Sequence, residues 1–363
     1  MKIIQITYTL CSGGAERFVV NLSNELVERG HEVVVCMLRD EKIERYNFNR
    51  PLLSPKVIFH SMNFGKGMSL SMMRQTVKFV KKENPDIVHC HLNTLPFIFP
   101  LIFRKKIKIV HTIHSLADKD CKGKLQYYLN KKVYSSRRVN AVAISDICKE
   151  SYVKFYGNNS VRLIFNGSPN AETTDSLSDV ENDISRMGRG KVFIHISKYY
   201  PLKNQRMLIE AFNKLNEEDV DFSLVVVGNH FDEPDQGLFL KEMACEKIHF
   251  VGMKLNVGDY LACADAFCLT SDYEGLPISL LEALSAGVTP ICTPVGGIPD
   301  VVTDGVTGYL SAGMTVDDYC DAVKRFIASP IDRELLKKYF LDNYSMTKCA
   351  RQYEQLYNEI VDK

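Results

Sequence analysis

The 363-residue chain has no apolar stretch as long as the ~18 to 20 residues that a membrane-spanning helix requires. The longest candidate, 95–110, is cut by Pro96 and Pro100 and by the run Arg104-Lys105-Lys106. Near the start, Met1-Lys2-Ile3-Ile4 meets polar Gln5, Thr7 and Thr9 too soon for the apolar core of a signal peptide. The chain also lacks a charge bias. Its 45 Lys and Arg stand against 44 Asp and Glu, so no global field favours nucleic acid. It lacks a disulfide framework. Its 11 cysteines are odd in number and include no Cys-x-x-Cys, and Cys36, Cys90, Cys268 and Cys292 lie inside apolar runs. That usage predicts reduced thiols in a cytoplasmic protein. Without a secretion signal, the Asn-x-Ser sequons at Asn21, Asn158, Asn166 and Asn343 read as chance. Fixed-period repeats and low-complexity tracts are absent. The Gly-x-Gly-x-x-Gly fingerprint is missing too, which disfavours a nicotinamide-dependent dehydrogenase.

What remains is an ordinary soluble composition, 45% hydrophobic and 25% charged, in a chain long enough for two domains. Short apolar strands alternate with amphipathic helices. Strand 2–9, the Gly13-Gly14 loop, helix 15–29 closed by Gly30 and strand 31–38 form a βαβ unit. Further strands are predicted at 57–60, 87–91, 108–111, 141–144 and 161–164. Helices are predicted at 69–83 and 124–136. Residues 168–190 open with turn-rich sequence and are predicted to be a linker. A second series follows, with strands at 191–197, 222–227, 248–251, 266–270 and 289–293 and helices at 204–215, 256–263 and 277–285. Helical segments at 316–328, 333–344 and 347–361 end the chain. The predicted architecture is α/β, with two Rossmann-like doubly wound domains facing a central cleft. They span 1–167 and 191–345. A C-terminal helix at 346–363 is placed to pack back on the first domain.

Three strand-to-helix loops carry candidate chemistry, because ligands of such sheets sit outside the carboxyl ends of the strands. The densest is Ser271-Asp272-Tyr273-Glu274-Gly275-Leu276-Pro277-Ile278, leading to Glu282 and Gly287. Its helix N-terminus offers backbone N–H groups to an anion, with Pro277 suited to the first turn. Glu274 can accept sugar hydroxyls and Glu282 can reach a ribose diol. On spacing alone, two surface glutamates at a helix start remain an alternative. The second loop holds Lys198 and Lys203, which can flank a diphosphate or simply be solvated. The third, Ser12-Gly13-Gly14-Ala15-Glu16, lets a backbone approach a ligand or is a plain turn. His89 and His91 end one strand, and His111 and His114 end another. No carboxylate or cysteine pair completes a metal site with them, and none is expected. The triplets Asp118-Lys119-Asp120 and Asp219-Val220-Asp221 follow no buried strand and read as surface.

The run Glu274-x7-Glu282, then Ala286-Gly287-x-x-Pro290, Thr293-Pro294-Val295-Gly296-Gly297-Ile298-Pro299-Asp300 and Asp304-Gly305-Val306-Thr307-Gly308-Tyr309-Leu310, resembles the signature block of glycosyltransferase family 4. Gly13-Gly14-Ala15-Glu16, His111-Thr112-Ile113-His114 and Phe250-Val251-Gly252 resemble further family segments, so the likeness spans most of the chain. The resemblance implies the GT-B fold and a retaining transfer from a nucleotide sugar, with no essential metal and no cofactor beyond the donor. It implies that Glu274 contacts the donor sugar and Glu282 the ribose. Gly275, Leu276, Pro277 and Ile278 would meet sugar and phosphates, and Lys203 the diphosphate. Lys198 stands where the family usually has Arg, which keeps the charge and loses the bidentate fork. Gly13 and Gly14 would face the donor phosphates. His114 would touch donor sugar or acceptor, and Gly252 the nucleotide base. The family usually continues Asn166-Gly167 with a hydrophobic residue and Asp, where this chain has Ser168-Pro169. That segment therefore reads as a hinge turn.

The resulting expectation is a hexosyltransferase, with UDP-sugar favoured over GDP-mannose. Its acceptor would be a glycan or lipid-linked saccharide, and its setting surface polysaccharide synthesis. A sugar-phosphate synthase or phosphorylase, and a catalytically silent sugar-nucleotide-binding subunit, stay open as alternatives. Arg104, Lys105, Lys106 and Lys108, with Lys78, Lys81 and Lys82, form either a solvated helix end or a basic, apolar face toward an anionic inner membrane leaflet.

Overall fold

The computed structural model describes residues 1–362 apart from Lys105, Lys122 and Arg189. Apolar runs bounded by turn residues become strands with both faces covered, as parallel sheets require. The first sheet is built from β1 (Lys2–Thr7), β2 (Glu32–Arg39), β3 (Ile58–Phe64), β4 (Ile87–His91), β5 (Lys108–Ile113), β6 (Val139–Ala143) and β7 (Val161–Leu163). Its order is β3-β2-β1-β4-β5-β6-β7, and every pairing is parallel. The second contains β8 (Lys191–Ile196), β9 (Phe222–Val227), β10 (Ile248–Gly252), β11 (Ala266–Leu269), β12 (Thr289–Cys292) and β13 (Tyr309–Leu310), in the order β10-β9-β8-β11-β12-β13. Both orders are doubly wound. Each reverses beside its first strand, and there the loops diverge to leave a crevice.

The chain divides into two compact units. One is Met1–Gly167 with the residues from Met346 onward, and the other is Ser168–Ser345. Aromatic packing fills the second core. Phe193 meets Phe212 edge-on at 5.1 Å between ring centres, and Phe212 meets Phe222 at 5.0 Å. In the first unit, helix Met346–Val361 lies against helix Gly14–Glu28 and buries Tyr353 and Tyr357. Its Glu354 accepts from the Arg29 guanidinium and pairs with His31 at 2.9 Å. Tyr357 Oη lies 2.7 Å from His89 Nδ1, and Thr112 Oγ1 lies 2.7 Å from His89 Nε2 and 2.9 Å from Tyr353 Oη. The helix thus satisfies polar groups of β4 and β5 that would be costly to bury alone.

Some sequence expectations change. The 168–190 stretch is not a free linker. Helix Leu177–Ser185 buries Val180 and Ile184, Thr174 donates its N–H and hydroxyl to Asp259 at 2.6 and 2.7 Å, and Ala171 N–H donates to Ser285 Oγ at 2.9 Å. The apolar run near 95 becomes a 3-10 segment, Leu92–Leu101, because Pro96 and Pro100 each remove a donor. Of the Asp-x-Asp triplets, Asp118 and Asp120 fall in the short helix Ala117–Asp120, while Asp219 and Asp221 are exposed before β9. Arg104 and Lys106 are exposed, and Lys105 lies outside the described residues. Among the described residues, no helix is long and apolar enough to cross a membrane. All 11 cysteines are free, and burial pushes the Cys90, Cys268 and Cys349 thiols up to about 12.

The buried histidines have a consequence for stability. Burial holds His89 and His91 well below the ordinary imidazole value and His195 down to about 4. Each accepts a proton near pH 6.5 in the unfolded chain and refuses it in the fold. Their stabilisation is complete above pH 6.5. It is lost as pH falls toward the folded values, at about 1.4 kcal/mol per pH unit for each histidine. The thermal midpoint is expected to drop steeply between pH 6.5 and about 4, and less steeply in His89→Gln. A midpoint that stays level across that window would show that these rings are not buried neutral.

Candidate active site

The loops after β8 and β11 stand on either side of the switch point of the second sheet. The first runs through Lys198 to a 3-10 turn, Pro201–Lys203. Asn204 then takes a left-handed conformation (φ 46°), and its side chain accepts from Met207 N–H at the start of helix Gln205–Glu217. The second loop leaves β11 at Thr270. Four hydrogen bonds fasten the two together. Thr270 Oγ1 lies 3.2 and 3.0 Å from the carbonyls of Lys203 and Asn204, Asn204 Nδ2 donates to Asp272 Oδ1 at 2.8 Å, and Asp272 N–H donates to the Leu202 carbonyl at 2.9 Å.

This fastening brings Lys203 to Glu274. The Lys203 ammonium lies 2.6 Å from Glu274 Oε1, and the Ser271 hydroxyl donates to the same oxygen at 2.6 Å. Glu274 is 8% exposed, so its charge depends on these two donors. The backbone behind it is equally fixed. Gly297 N–H donates to the Glu274 carbonyl at 3.2 Å, and Gly296 (φ +57°) lies so close that a Cβ there would sit 1.7 Å from the same oxygen. Only glycine satisfies both the conformation and the approach. This explains Gly296 in physical terms.

Four residues on from Glu274, helix Ile278–Ser285 begins. Pro277 is its cap, in an extended conformation (ψ 129°), and not the first helical residue that the sequence suggested. No side chain caps the helix and no acid lies in its first turn, so its first N–H groups can meet an anion. Gly275 and Leu276 bridge Glu274 to this start. Glu282 lies further along the helix and is partly buried. Lys198 is held through its backbone, since its carbonyl accepts from Gln205 Nε2 at 2.9 Å and from Ser197 Oγ at 2.9 Å. Gln205 also faces His195 Nε2 at 3.5 Å, and His195 Nδ1–H donates to the Cys268 carbonyl at 2.9 Å. A buried neutral histidine thereby ties β11 to the Lys198 loop. Gly252 ends β10 at φ +74° with open space around it, and its carbonyl accepts from Gly228 N–H at 2.9 Å.

Thr270, Ser271, Asp272, Asn204, Gln205 and His195 were not singled out from sequence. The signal for Ser271 and Asp272 was present, since both precede Glu274 in the quoted block. His195 gave only a polar residue inside an apolar strand.

In the first unit, Gly13 and Gly14 follow β1 and begin helix Gly14–Glu28. The Glu16 carboxylate folds back over Gly13, where a Cβ would lie 2.1 Å from its Oε2, and it takes bonds from Thr9 Oγ1 and Cys11 Sγ, each at 3.3 Å. This helix start carries its own anion, which qualifies the expected approach of phosphates to Gly13. His114 follows β5 and is partly exposed. Its Nε2 lies 3.1 Å from His91 Nδ1, and His91 Nε2 donates to Gln5 Oε1 at 2.6 Å. His91 Nδ1 is then the acceptor, and His114 donates to it. Among the described residues, no group of three His, Cys, Asp or Glu is placed to hold a metal ion.

Comparison with known proteins adds to this geometry. Residues 12–169 match the family described as Glycosyltransferase Family 4, and residues 180–340 match Glycosyl transferases group 1. N-acetyl-alpha-D-glucosaminyl L-malate synthase of Bacillus anthracis is 26% identical over 99% of this chain and 98% of its own length. UDP-Gal:alpha-D-GlcNAc-diphosphoundecaprenol alpha-1,3-galactosyltransferase of Escherichia coli is 24% identical over 78% of each. The crystal structure of Anabaena HepE in complex with UDP and glucose superposes with a TM-score of 0.81 at 18% identity, covering 99% of this chain and all of that one.

The Lys203–Glu274 contact makes a quantitative prediction. Lys203→Met leaves a nearly buried carboxylate with one donor and is expected to cost about 2–3 kcal/mol in urea unfolding. Combining it with Glu274→Gln is expected to restore much of that loss, a coupling that a double-mutant cycle reads directly. Strictly additive losses would mean that the two charges do not support each other.

Proposed function

We propose, from the premise that this chain is a GT-B glycosyltransferase belonging to glycosyltransferase family 4, that it moves a hexosyl group with retention from a nucleotide sugar, UDP-sugar in preference to GDP-sugar. The observation that carries this reading is the Lys203–Glu274–Ser271 cluster beside the uncapped start of helix Ile278–Ser285. A carboxylate fixed by two donors on one oxygen has its other oxygen available to accept sugar hydroxyls. The adjacent N–H groups and Lys203 oppose the charge that develops on the departing diphosphate, and Lys198 adds a second cation on the same loop. Glu282 takes the ribose diol, and Gly252 offers backbone to the base. With the diphosphate neutralised by helix N–H groups and ammonium groups, the transfer requires no metal. In the first unit, His114 is the residue we assign to the donor sugar or acceptor, and Gly14 the glycine we assign to donor phosphates.

The UDP named with the superposable HepE structure supports the donor class. The lipid-diphosphate saccharide named for the E. coli relative supports a glycan or lipid-linked acceptor. A second acceptor reading, a small carboxylic acid, has one observation in its favour: the relative aligned along nearly the whole chain is named for L-malate.

A panel of UDP- and GDP-sugars tested by thermal shift, followed by transfer assays with lipid-linked saccharide and with malate, decides among these. Binding raises the midpoint by an amount that grows with the logarithm of affinity. At least one UDP-sugar is expected to do so. Glu274→Gln is expected to keep UDP binding and to lose sugar transfer by about a hundredfold or more, the scale of one electrostatic contact made in the transition state. No shift with any sugar nucleotide, or equal transfer in wild type and variant, would overturn the assignment.

A further inference from the structure

A chain of three polar side chains crosses the first sheet, from Gln5 in β1 through His91 in β4 to His114 after β5. Gln5 and His91 are fully buried, and His114 is partly exposed. His91 Nε2 lies 2.6 Å from Gln5 Oε1, and His91 Nδ1 lies 3.1 Å from His114 Nε2. A neutral imidazole carries one N–H, so the two nitrogens of His91 cannot both donate. Burial keeps His91 neutral, and it keeps His89 neutral as well, with the two ring centres 4.1 Å apart. His89 does not compete for the chain, because Tyr357 and Thr112 occupy both its nitrogens. The direction of the chain is therefore set at its buried end. The Gln5 oxygen takes the His91 proton on Nε2, His91 Nδ1 is left to accept, and His114 keeps its own proton on Nε2. His114 Nδ1 is then a bare lone pair. No hydrogen bond to it is found among the described residues. Phe18 of helix Gly14–Glu28 packs edge-on against the His114 ring at 5.5 Å, which limits its rotation.

Gln5 is costly where it stands. Its neighbours Ile4 and Ile6 are fully buried, and among the described residues its Nε2 has no hydrogen-bond partner. An unpaired buried amide destabilises a fold, and an apolar side chain of the same size would not. What Gln5 contributes is its oxygen, aimed at His91 Nε2. We infer that Gln5 and His91 are positioning residues that hold the His114 proton on Nε2, so that Nδ1 accepts a hydrogen bond from a substrate hydroxyl. This rests on the reading that His114 meets the donor sugar or the acceptor, and it adds the polarity of that contact. The substrate group at this point must donate, which a hydroxyl can do and an ether oxygen or an ionised carboxylate cannot. Gln5 and His91 act on the substrate through His114 alone.

The test reads the proton positions in the full chain, with isotope-labelled histidine rings, without substrate and at about pH 8, where imidazoles are neutral. Long-range proton–nitrogen NMR spectra separate a protonated ring nitrogen from a bare one, and His91→Gln and His114→Gln assign the signals. Wild type is expected to carry its protons on Nε2 of both His91 and His114. Gln5→Met keeps the size and removes the oxygen. His91 is then expected to move its proton to Nδ1 and donate to His114 Nε2, which drives the His114 proton onto Nδ1, two side chains from the substitution. A protonated His114 Nδ1 in wild type refutes the inference, even where Gln5→Met does not fold. So does a His114 pattern that Gln5→Met leaves unchanged. The substrate side is read separately. UDP is expected to raise the melting midpoint of wild type and Gln5→Met equally. Sugar transfer from the UDP-sugar that binds wild type is expected to fall about tenfold in kcat/KM in Gln5→Met, the worth of one neutral hydrogen bond. A switched proton with transfer unchanged would place the substrate away from His114 Nδ1 and sink the inference, with UDP binding in the second unit still standing. A wild type that shows no UDP shift counts against the donor reading instead, and the His114 pattern still decides this one.

Discussion

A carboxylate that is 8% exposed has to be answered by charge or by hydrogen bonds, and at Glu274 the charge comes from a different strand-end loop. Lys203 reaches it from the β8 loop at 2.6 Å and Ser271 from the β11 loop at 2.6 Å. For that to happen the two loops must be locked in register. Thr270, Asp272 and Asn204 provide the lock, with Asn204 in a left-handed turn that also starts the next helix. Gly296 and Gly297 close the arrangement from behind, Gly297 through its N–H to the Glu274 carbonyl and Gly296 because a Cβ there would collide with the same oxygen. The site therefore follows from one ion pair and the backbone geometry that makes it attainable.

The sheet topology explains why this happens at β8 and β11. They are neighbours in space but successive starts of the two halves of a doubly wound sheet, so their loops leave in opposite directions and flank a crevice. The first sheet repeats the device between β1 and β4, with Gly13 and Gly14 in the loop after β1 and His89 and His91 in β4 itself. There the polar groups are organised differently. His89 and His91 are deep in the sheet and neutral, tied to Tyr357, Thr112 and Gln5, and only His114 reaches toward the surface. The C-terminal helix, far away in sequence, supplies two of the tyrosines that make this burial tolerable.

Much of this was legible in the sequence, for identifiable reasons. Long, regular apolar patterns gave the strands and helices: helices Val316–Ala328 and Arg333–Tyr344 lie where their periodicity put them. The Glu274 block could be read because its residues are contiguous and its strand–turn–helix setting has a mechanism. What could not be read depends on tertiary contact. Nothing local to Glu16 says that its carboxylate folds over Gly13, and nothing local to His195 says that it ties Cys268 to Gln205 and the Lys198 loop. Helix Leu177–Ser185 was overlooked although Leu177, Val180 and Ile184 carry its spacing, because the turn-rich residues before it set the tone of the segment. β13 has only two residues, too few for any periodicity, and is defined by pairing with β12.

The most direct measurement of the central claim is residue-resolved amide hydrogen exchange with and without a UDP-sugar. If the Lys203–Glu274 cluster and the helix after it hold the donor, exchange slows at 198–204 and at 274–280, the two loops that flank the switch point. Protection that appears elsewhere in the second unit, with both of these loops unchanged, would contradict the account.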